Sequence, residues 1–159
     1  MSTPDIASFT MREALDQYFQ RSGFNTDSYT APTFTLKLLG IPFTFASTAG
    51  RKRALPLHDF HHILTGYGTD WVGEAEIGAW ELRAGCRDLA AYVLNGAGVI
   101  IGMLLSPLRV WRAFRTARGQ RTLYRRPESY AELLETTVDD LRHRLGIPHG
   151  GHPVTTDRI

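Results

Sequence analysis

Residues 89–105 contain no charged side chain, and this run constrains the fold more than any other feature of the sequence. It reads LAAYVLNGAGVIIGMLL and includes three glycines. A membrane-spanning helix needs about 20 mainly apolar residues, so the run is at the lower limit of that length. Three interpretations follow: a buried central helix, a helix that contacts lipid at the membrane surface, and a membrane span.

The composition is typical of one globular domain. The chain has 159 residues, of which 43% are hydrophobic and 21% are charged, with a formal net charge of +2. Such a small net charge, without a nucleic-acid-binding motif, argues against a nucleic-acid partner. The single cysteine, Cys86, excludes an internal disulfide and suits a reducing compartment. The first residues lack the pattern of a signal or transit peptide, so we expect a cytoplasmic protein.

Helix-capping signals predict a mainly α fold. A Thr-x-x-Glu capping box at Thr10 predicts a helix to about Arg21, and a Ser-x-x-Glu box at Ser129 predicts one continuous helix to Leu145. A further helix is expected from about Trp71 into the uncharged run, because Asp70 is a candidate N-cap.

Two other segments complete the predicted organisation. Apolar and polar residues alternate from Phe34 to Phe45 around a Gly-Ile-Pro break at 40–42, which favours one short N-terminal β-hairpin. We therefore expect a single compact helical metal-binding domain over 1–147. The glycines and prolines of 148–159 predict a disordered tail.

Three histidines within five residues, His58, His61 and His62, form the strongest candidate for a chemical site. At helical spacing the imidazoles of His58 and His62 project from one face and can bind one divalent ion. We expect His61 to point away, either at the surface or beside a ligand. The alternative is a run of solvated surface histidines with no metal.

A site with two histidines needs a further ligand. Asp59 lies about 100° round the helix from His58, where it can bind at the edge or orient an imidazole. Glycines at 66 and 68 predict a turn that returns the chain, which would place Glu74 opposite the histidines. Asp70 is instead expected to cap the next helix. Nitrogen and oxygen ligands suit zinc, iron(II), manganese or cobalt.

The motif His58-Asp59-x-x-His62, followed by eleven residues and Glu74, resembles the H-D-x-x-H-x11-E signature of the coenzyme Q biosynthesis protein 4 family. The resemblance extends from about residue 46 to residue 145, and the chain resembles a short bacterial-type member. It implies a mostly helical fold that binds one divalent metal, zinc first, through His58, Asp59, His62 and Glu74. It assigns no catalytic residue.

The resemblance also implies a function. Members of that family act in ubiquinone biosynthesis, associate peripherally with membranes, engage a polyprenylated aromatic intermediate, and are linked to oxidative decarboxylation of its ring and to organising other biosynthetic enzymes. We therefore expect a metal-dependent enzyme or enzyme component that acts on or presents such a quinone precursor. The alternative is a non-catalytic protein that binds prenyl lipid or acts as a scaffold.

The predicted partners follow from the same resemblance. Residues 89–105 would line a groove for the isoprenoid tail, and Arg109, Arg112 and Arg115 would lie near phospholipid or other anionic head groups. The expected location is cytoplasmic, including the inner face of the cell membrane. Other quinone-biosynthesis proteins and a second copy of the chain are further expected partners.

Overall fold

The computed structural model of the protein describes residues 6–38, 41–86 and 89–153. Within these residues it is mainly α, with eight α-helices and one two-stranded antiparallel sheet, which confirms the predicted class and the N-terminal hairpin. In chain order the elements are α1 (Met11–Ser22), α2 (Asp27–Thr30), β1 (Thr33–Leu38), β2 (Ile41–Ala46), α3 (Ala49–Thr65), α4 (Trp71–Ala84), α5 (Leu89–Leu105), α6 (Pro107–Thr116), α7 (Tyr130–Glu135) and α8 (Val138–Leu145).

Local sequence signals set several helix ends. The Thr10 hydroxyl accepts a hydrogen bond from the backbone N–H of Glu13, whose carboxylate binds the N–H of Thr10 at 2.9 Å. Ser129 and Glu132 make the same reciprocal pair. Both predicted capping boxes are therefore confirmed. Gly66 ends α3 at a φ of 83°, a left-handed conformation that turns the chain toward α4.

The predicted continuous helix from Trp71 into the uncharged run is wrong. Helix α4 ends at Ala84, and Gly85 follows it with a φ of 120°. That backbone conformation is rarely open to a residue with a side chain, so the helix stops at this glycine. The uncharged run forms α5 as a separate helix.

The predicted continuous helix from Ser129 to Leu145 is also wrong. The carbonyl of Thr136 accepts a hydrogen bond from the N–H of Met11 at 2.8 Å, and the N–H of Val138 donates to the carbonyl of Phe9 at 2.9 Å. An isolated β-bridge pairs Thr10 with Thr137. This pairing with the start of α1 keeps the backbone extended and divides the segment into α7 and α8.

Helix α4 lies at the centre of the core. Its Trp80 and Ile77 are fully buried, as are Phe60 of α3 and Met11 of α1. Helix α5 approaches α4 closely at Gly102, where a Cβ atom would lie only 2.1 Å from the Cβ of Ala75. The uncharged run is therefore packed against α4 at this position.

The C-terminal end of α5 and the start of α6 expose large apolar side chains to solvent. We call this region the α5–α6 apolar surface, formed by Ile100, Met103, Leu104, Leu105, Leu108 and Trp111. Leu104 is 83% exposed and Leu108 is 65% exposed. In the described part of the chain, no helix combines the length and the apolar character needed to cross a bilayer.

The chain remains packed beyond residue 147. The His152 ring stacks on Tyr67 with ring centroids 5.4 Å apart, and the backbone N–H of His152 donates to the carbonyl of Thr65. Arg142 of α8 reaches the same segment through the carbonyl of His149. This arrangement differs from the disorder predicted from residue 148, because long-range contacts hold residues up to 153. Residues 154–159 of the predicted tail lie outside the described residues.

Candidate metal centre

Helices α3 and α4 bring three of the predicted ligands together. His58 and His62 lie one turn apart on α3, and Glu74 lies in the first turn of α4. The Asp70 carboxylate caps α4 by accepting from the N–H of Gly73 at 2.7 Å, as predicted. This cap fixes the start of α4 and therefore the position of Glu74 in its first turn. The ligand atoms of the two histidines and the glutamate all lie within 4.8 Å of one another.

The separations between these atoms fit one small cation. The Nε2 atoms of His58 and His62 are 3.2 Å apart. One carboxylate oxygen of Glu74 lies 3.4 Å from His58 Nε2, and the other lies 3.5 Å from His62 Nε2. In a tetrahedral zinc site with bonds of about 2.0–2.1 Å, two ligand atoms lie about 3.3–3.4 Å apart. The three side chains therefore have the spacing of ligands around one such ion.

Hydrogen bonds determine which nitrogen of each imidazole faces the centre. His62 Nδ1 lies 3.1 Å from the carbonyl oxygen of Tyr67, which can only accept, so Nδ1 carries the proton. His58 Nδ1 lies 2.9 Å from the carboxylate of Glu81 and donates in the same way. Both Nε2 atoms therefore face the Glu74 carboxylate, where they can bind a metal ion or, in a protonated ring, donate a proton to that carboxylate.

The charges around the centre also favour a cation. Burial alone would lower the pKa of His58, but the Glu81 and Glu74 carboxylates outweigh it and raise that pKa well above its ordinary value. Burial opposes ionisation of Glu74, yet hydrogen bonds with His58 and His62 lower its pKa to about 2. The pKa of Glu81 is likewise well below its ordinary value because the histidines outweigh its burial. The same negative charges that raise the pKa of His58 would also favour a bound cation.

Solvent reaches the centre from the side of Glu74. The Glu74 side chain is 40% exposed and that of His58 is 19% exposed, whereas His62 is almost completely buried. Three protein ligands with an open side are typical of catalytic zinc sites, whereas structural zinc sites are closed by four protein ligands.

The structure does not bring Asp59 into this group. The buried carboxylate of Asp59 accepts hydrogen bonds from the hydroxyls of Tyr29 at 2.7 Å and Tyr18 at 3.4 Å. These bonds connect α3 to α2 and α1. Burial raises the pKa of Asp59, and the Tyr29 hydrogen bond opposes that rise. Direct metal binding by Asp59 stays a prediction from the resemblance.

The expectation that His61 lies at the surface is wrong, because its side chain is completely buried beside the centre. Its Nδ1 atom lies 2.7 Å from the carboxylate of Glu81, and its Nε2 atom accepts from the N–H of Leu123 at 2.9 Å. Sequence reasoning assigned no role to Glu81. The available signal was its position two turns after Glu74, on the same face of α4.

The predicted head-group arginines separate into two groups. Arg109 makes a paired contact with Glu76 of α4, at 3.0 Å from its Nε and 2.7 Å from its terminal nitrogen, and both side chains are largely buried. Arg112 and Arg115 line a cleft on α6 together with Trp111 of the apolar surface. Only these two arginines are therefore placed beside exposed apolar residues.

Fold and site define a mainly α protein with a candidate metal centre of two histidines and a glutamate. No protein-family model, no curated protein and no solved structure matches the chain.

Proposed function

We propose that the chain binds one divalent cation through His58, His62 and Glu74, and that it acts in ubiquinone or prenylquinone biosynthesis. The convergence of two imidazole Nε2 atoms and one carboxylate within 3.2–3.5 Å carries this proposal. The ligand chemistry suits zinc first, with iron, manganese and cobalt as alternatives. The resemblance to the coenzyme Q biosynthesis protein 4 family supports the pathway.

The proposed substrate is a polyprenylated aromatic acid. When bound, a divalent cation supplies Lewis acidity toward a carboxylate or hydroxyl oxygen. The buried His62 provides a rigid ligand, while the partly exposed Glu74 lies where a substrate oxygen would enter. The proposed reaction, oxidative decarboxylation of the ring, comes from the resemblance alone, and it requires a separate two-electron oxidant such as dioxygen.

The α5–α6 apolar surface supports a prenylated ligand and a membrane-peripheral location. Complete burial of one leucine side chain contributes about 1.5–3 kcal/mol, so contact with a lipid tail would dominate the affinity. Arg112 and Arg115 lie beside this surface, where they can meet anionic head groups on the inner face of the cell membrane.

Elemental analysis of untagged protein tests the metal proposal. We expect about one metal per chain in the wild type, and loss of the metal in His62→Ala because a buried nitrogen ligand is removed. The matched control is His143→Ala, which changes an exposed histidine of α8. A wild type that binds no metal after reconstitution with zinc, iron and manganese would contradict the proposal. Decarboxylation assays of the metal-bound protein then test the substrate class.

A second candidate function is that of a non-catalytic protein that binds prenyl lipid or organises other biosynthetic enzymes. The exposure of six large apolar side chains within residues 100–111 favours it, since soluble proteins rarely expose large apolar patches. Co-sedimentation with phospholipid vesicles tests it. The double variant Leu104→Ser/Leu108→Ser should weaken vesicle binding by more than about tenfold, because each leucine contributes about 1.5 kcal/mol or more. Two results together would favour this candidate over the first. The metal-free His62→Ala variant would still bind lipid, and the wild type would show no decarboxylase activity.

A further inference from the structure

A single carboxylate behind the metal centre receives hydrogen bonds from three side chains. Glu81 of α4 is completely buried. Its Oε1 atom lies 2.9 Å from His58 Nδ1, 2.7 Å from His61 Nδ1 and 2.8 Å from the hydroxyl of Tyr124. Buried charges are costly unless they are paired and hydrogen-bonded, and these three contacts meet that requirement within the chain.

The proton positions follow from the outer contacts of this group. The backbone N–H of Leu123 donates to His61 Nε2, so the proton of His61 is on Nδ1 and points at Glu81. The hydroxyl of Tyr124 donates to the same carboxylate. Glu81 is therefore an acceptor toward every one of these partners, and His58 must present its Nδ1 proton to it.

We propose that Glu81 is the positioning residue of the metal centre. By accepting from His58 Nδ1, it holds the imidazole with Nε2 directed at His62 and Glu74. Its negative charge adds to that of Glu74, so the two carboxylates together balance a divalent cation. This inference rests on the proposed metal binding and adds the residue that prepares a ligand for it.

The chain offers a matched control on the same helix. Glu76 is also buried on α4, but its carboxylate is paired with Arg109 and makes no contact with a proposed ligand. Replacement of either glutamate by glutamine removes one buried negative charge. Only the replacement of Glu81 changes the partner of His58.

Zinc affinity, measured on the full chain by competition with a chelating indicator, separates the two variants. We expect Glu81→Gln to weaken zinc binding by about 10–100-fold, the usual effect of losing a hydrogen-bond partner of a ligating histidine. Its cobalt(II) absorption spectrum should also shift, because His58 changes its orientation. Glu76→Gln should keep the wild-type affinity and spectrum. Equal zinc affinity and equal cobalt spectra in Glu81→Gln and wild type would overturn the inference.

A measurement on the wild type tests the same inference without a variant. In zinc-bound protein with 15N-labelled histidine, NMR should report His58 with its proton on Nδ1 and the metal on Nε2. Coordination through His58 Nδ1 would overturn the role of Glu81 while leaving metal binding in place. A wild type without metal would overturn both this inference and the proposed function, so the two failures are distinguishable.

Discussion

The candidate metal centre between α3 and α4 has buried polar side chains, whereas the α5–α6 apolar surface has exposed apolar ones. At the centre, His61, His62 and Glu81 are buried; on the surface, Leu104 and Leu108 are exposed. A buried polar group destabilises the fold unless it is paired, whereas an exposed apolar patch lowers solubility unless something covers it. The first region satisfies its hydrogen bonds within the chain and groups two imidazoles with a carboxylate that could hold a cation. The second region leaves large apolar side chains exposed to solvent.

Helix α4 connects these two regions. One of its faces carries Glu74 and Glu81 toward the histidines of α3. Another carries Ala75 toward Gly102 of α5 and Glu76 toward Arg109 of α6. Substitutions at the contacts that α4 makes with α5 and α6 can therefore test how strongly α4 holds the two regions together.

The largest effect is expected from Glu76→Ala. The substitution removes the carboxylate that accepts two hydrogen bonds from Arg109 while leaving that guanidinium largely buried. Breaking such a pair should lower the free energy of unfolding by about 3 kcal/mol, measured by urea denaturation. The control is Glu135→Ala, which disrupts the exposed pair with Arg12 and should lower the free energy of unfolding much less. Similar losses in the two variants would show that α4 and α6 do not depend on the buried pair.

A smaller effect is expected from Gly102→Ala. The new methyl group would lie 2.1 Å from the Cβ of Ala75, so α5 must move away from α4. Overpacking of this kind costs about 1–3 kcal/mol of unfolding free energy. Gly98→Ala is the matched control on the same helix, because its Cβ would meet no atom within 4 Å.

The control substitution should raise stability by about 1 kcal/mol or less, through the higher helix propensity of alanine. Thermal unfolding of both variants measures the difference. If Gly102→Ala were as stable as Gly98→Ala, the close packing of α5 on α4 would be contradicted.

The parts of the centre that sequence predicts are those set by local signals. The spacing of His58 and His62 places them on one helix face, and the Gly66 turn with the Asp70 cap returns Glu74 to them. These features depend on residues only a few positions apart. The capping boxes and the mainly α class are predictable for the same reason.

The remaining parts depend on contacts between distant residues. Glu81 acquires its partners only when Tyr124 and the segment at Leu123 pack beside it. Asp59 is held by Tyr29, 30 residues away, rather than by a neighbouring ligand. The break between α7 and α8 likewise requires pairing with Thr10. No local pattern encodes these distances, so tertiary packing decides them.

The smallest effect concerns the pH dependence of stability through His152. Burial, followed by the positive charge of Arg142, lowers the pKa of His152 below its ordinary value of 6.5. Between the folded-state pKa and 6.5, the unfolded chain binds more protons than the folded chain. The contribution of His152 to unfolding free energy is therefore present above 6.5 and is lost as the pH falls through that window.

His152→Gln removes this titrating group, so its unfolding free energy should depend less steeply on pH than that of the wild type. Urea denaturation between about pH 5 and pH 8 measures the two slopes. An unchanged slope in His152→Gln would contradict the prediction. His152 stacks on Tyr67, and the Tyr67 carbonyl accepts a hydrogen bond from His62. A reduced slope would therefore show that a titrating side chain lies one residue away from the candidate metal centre.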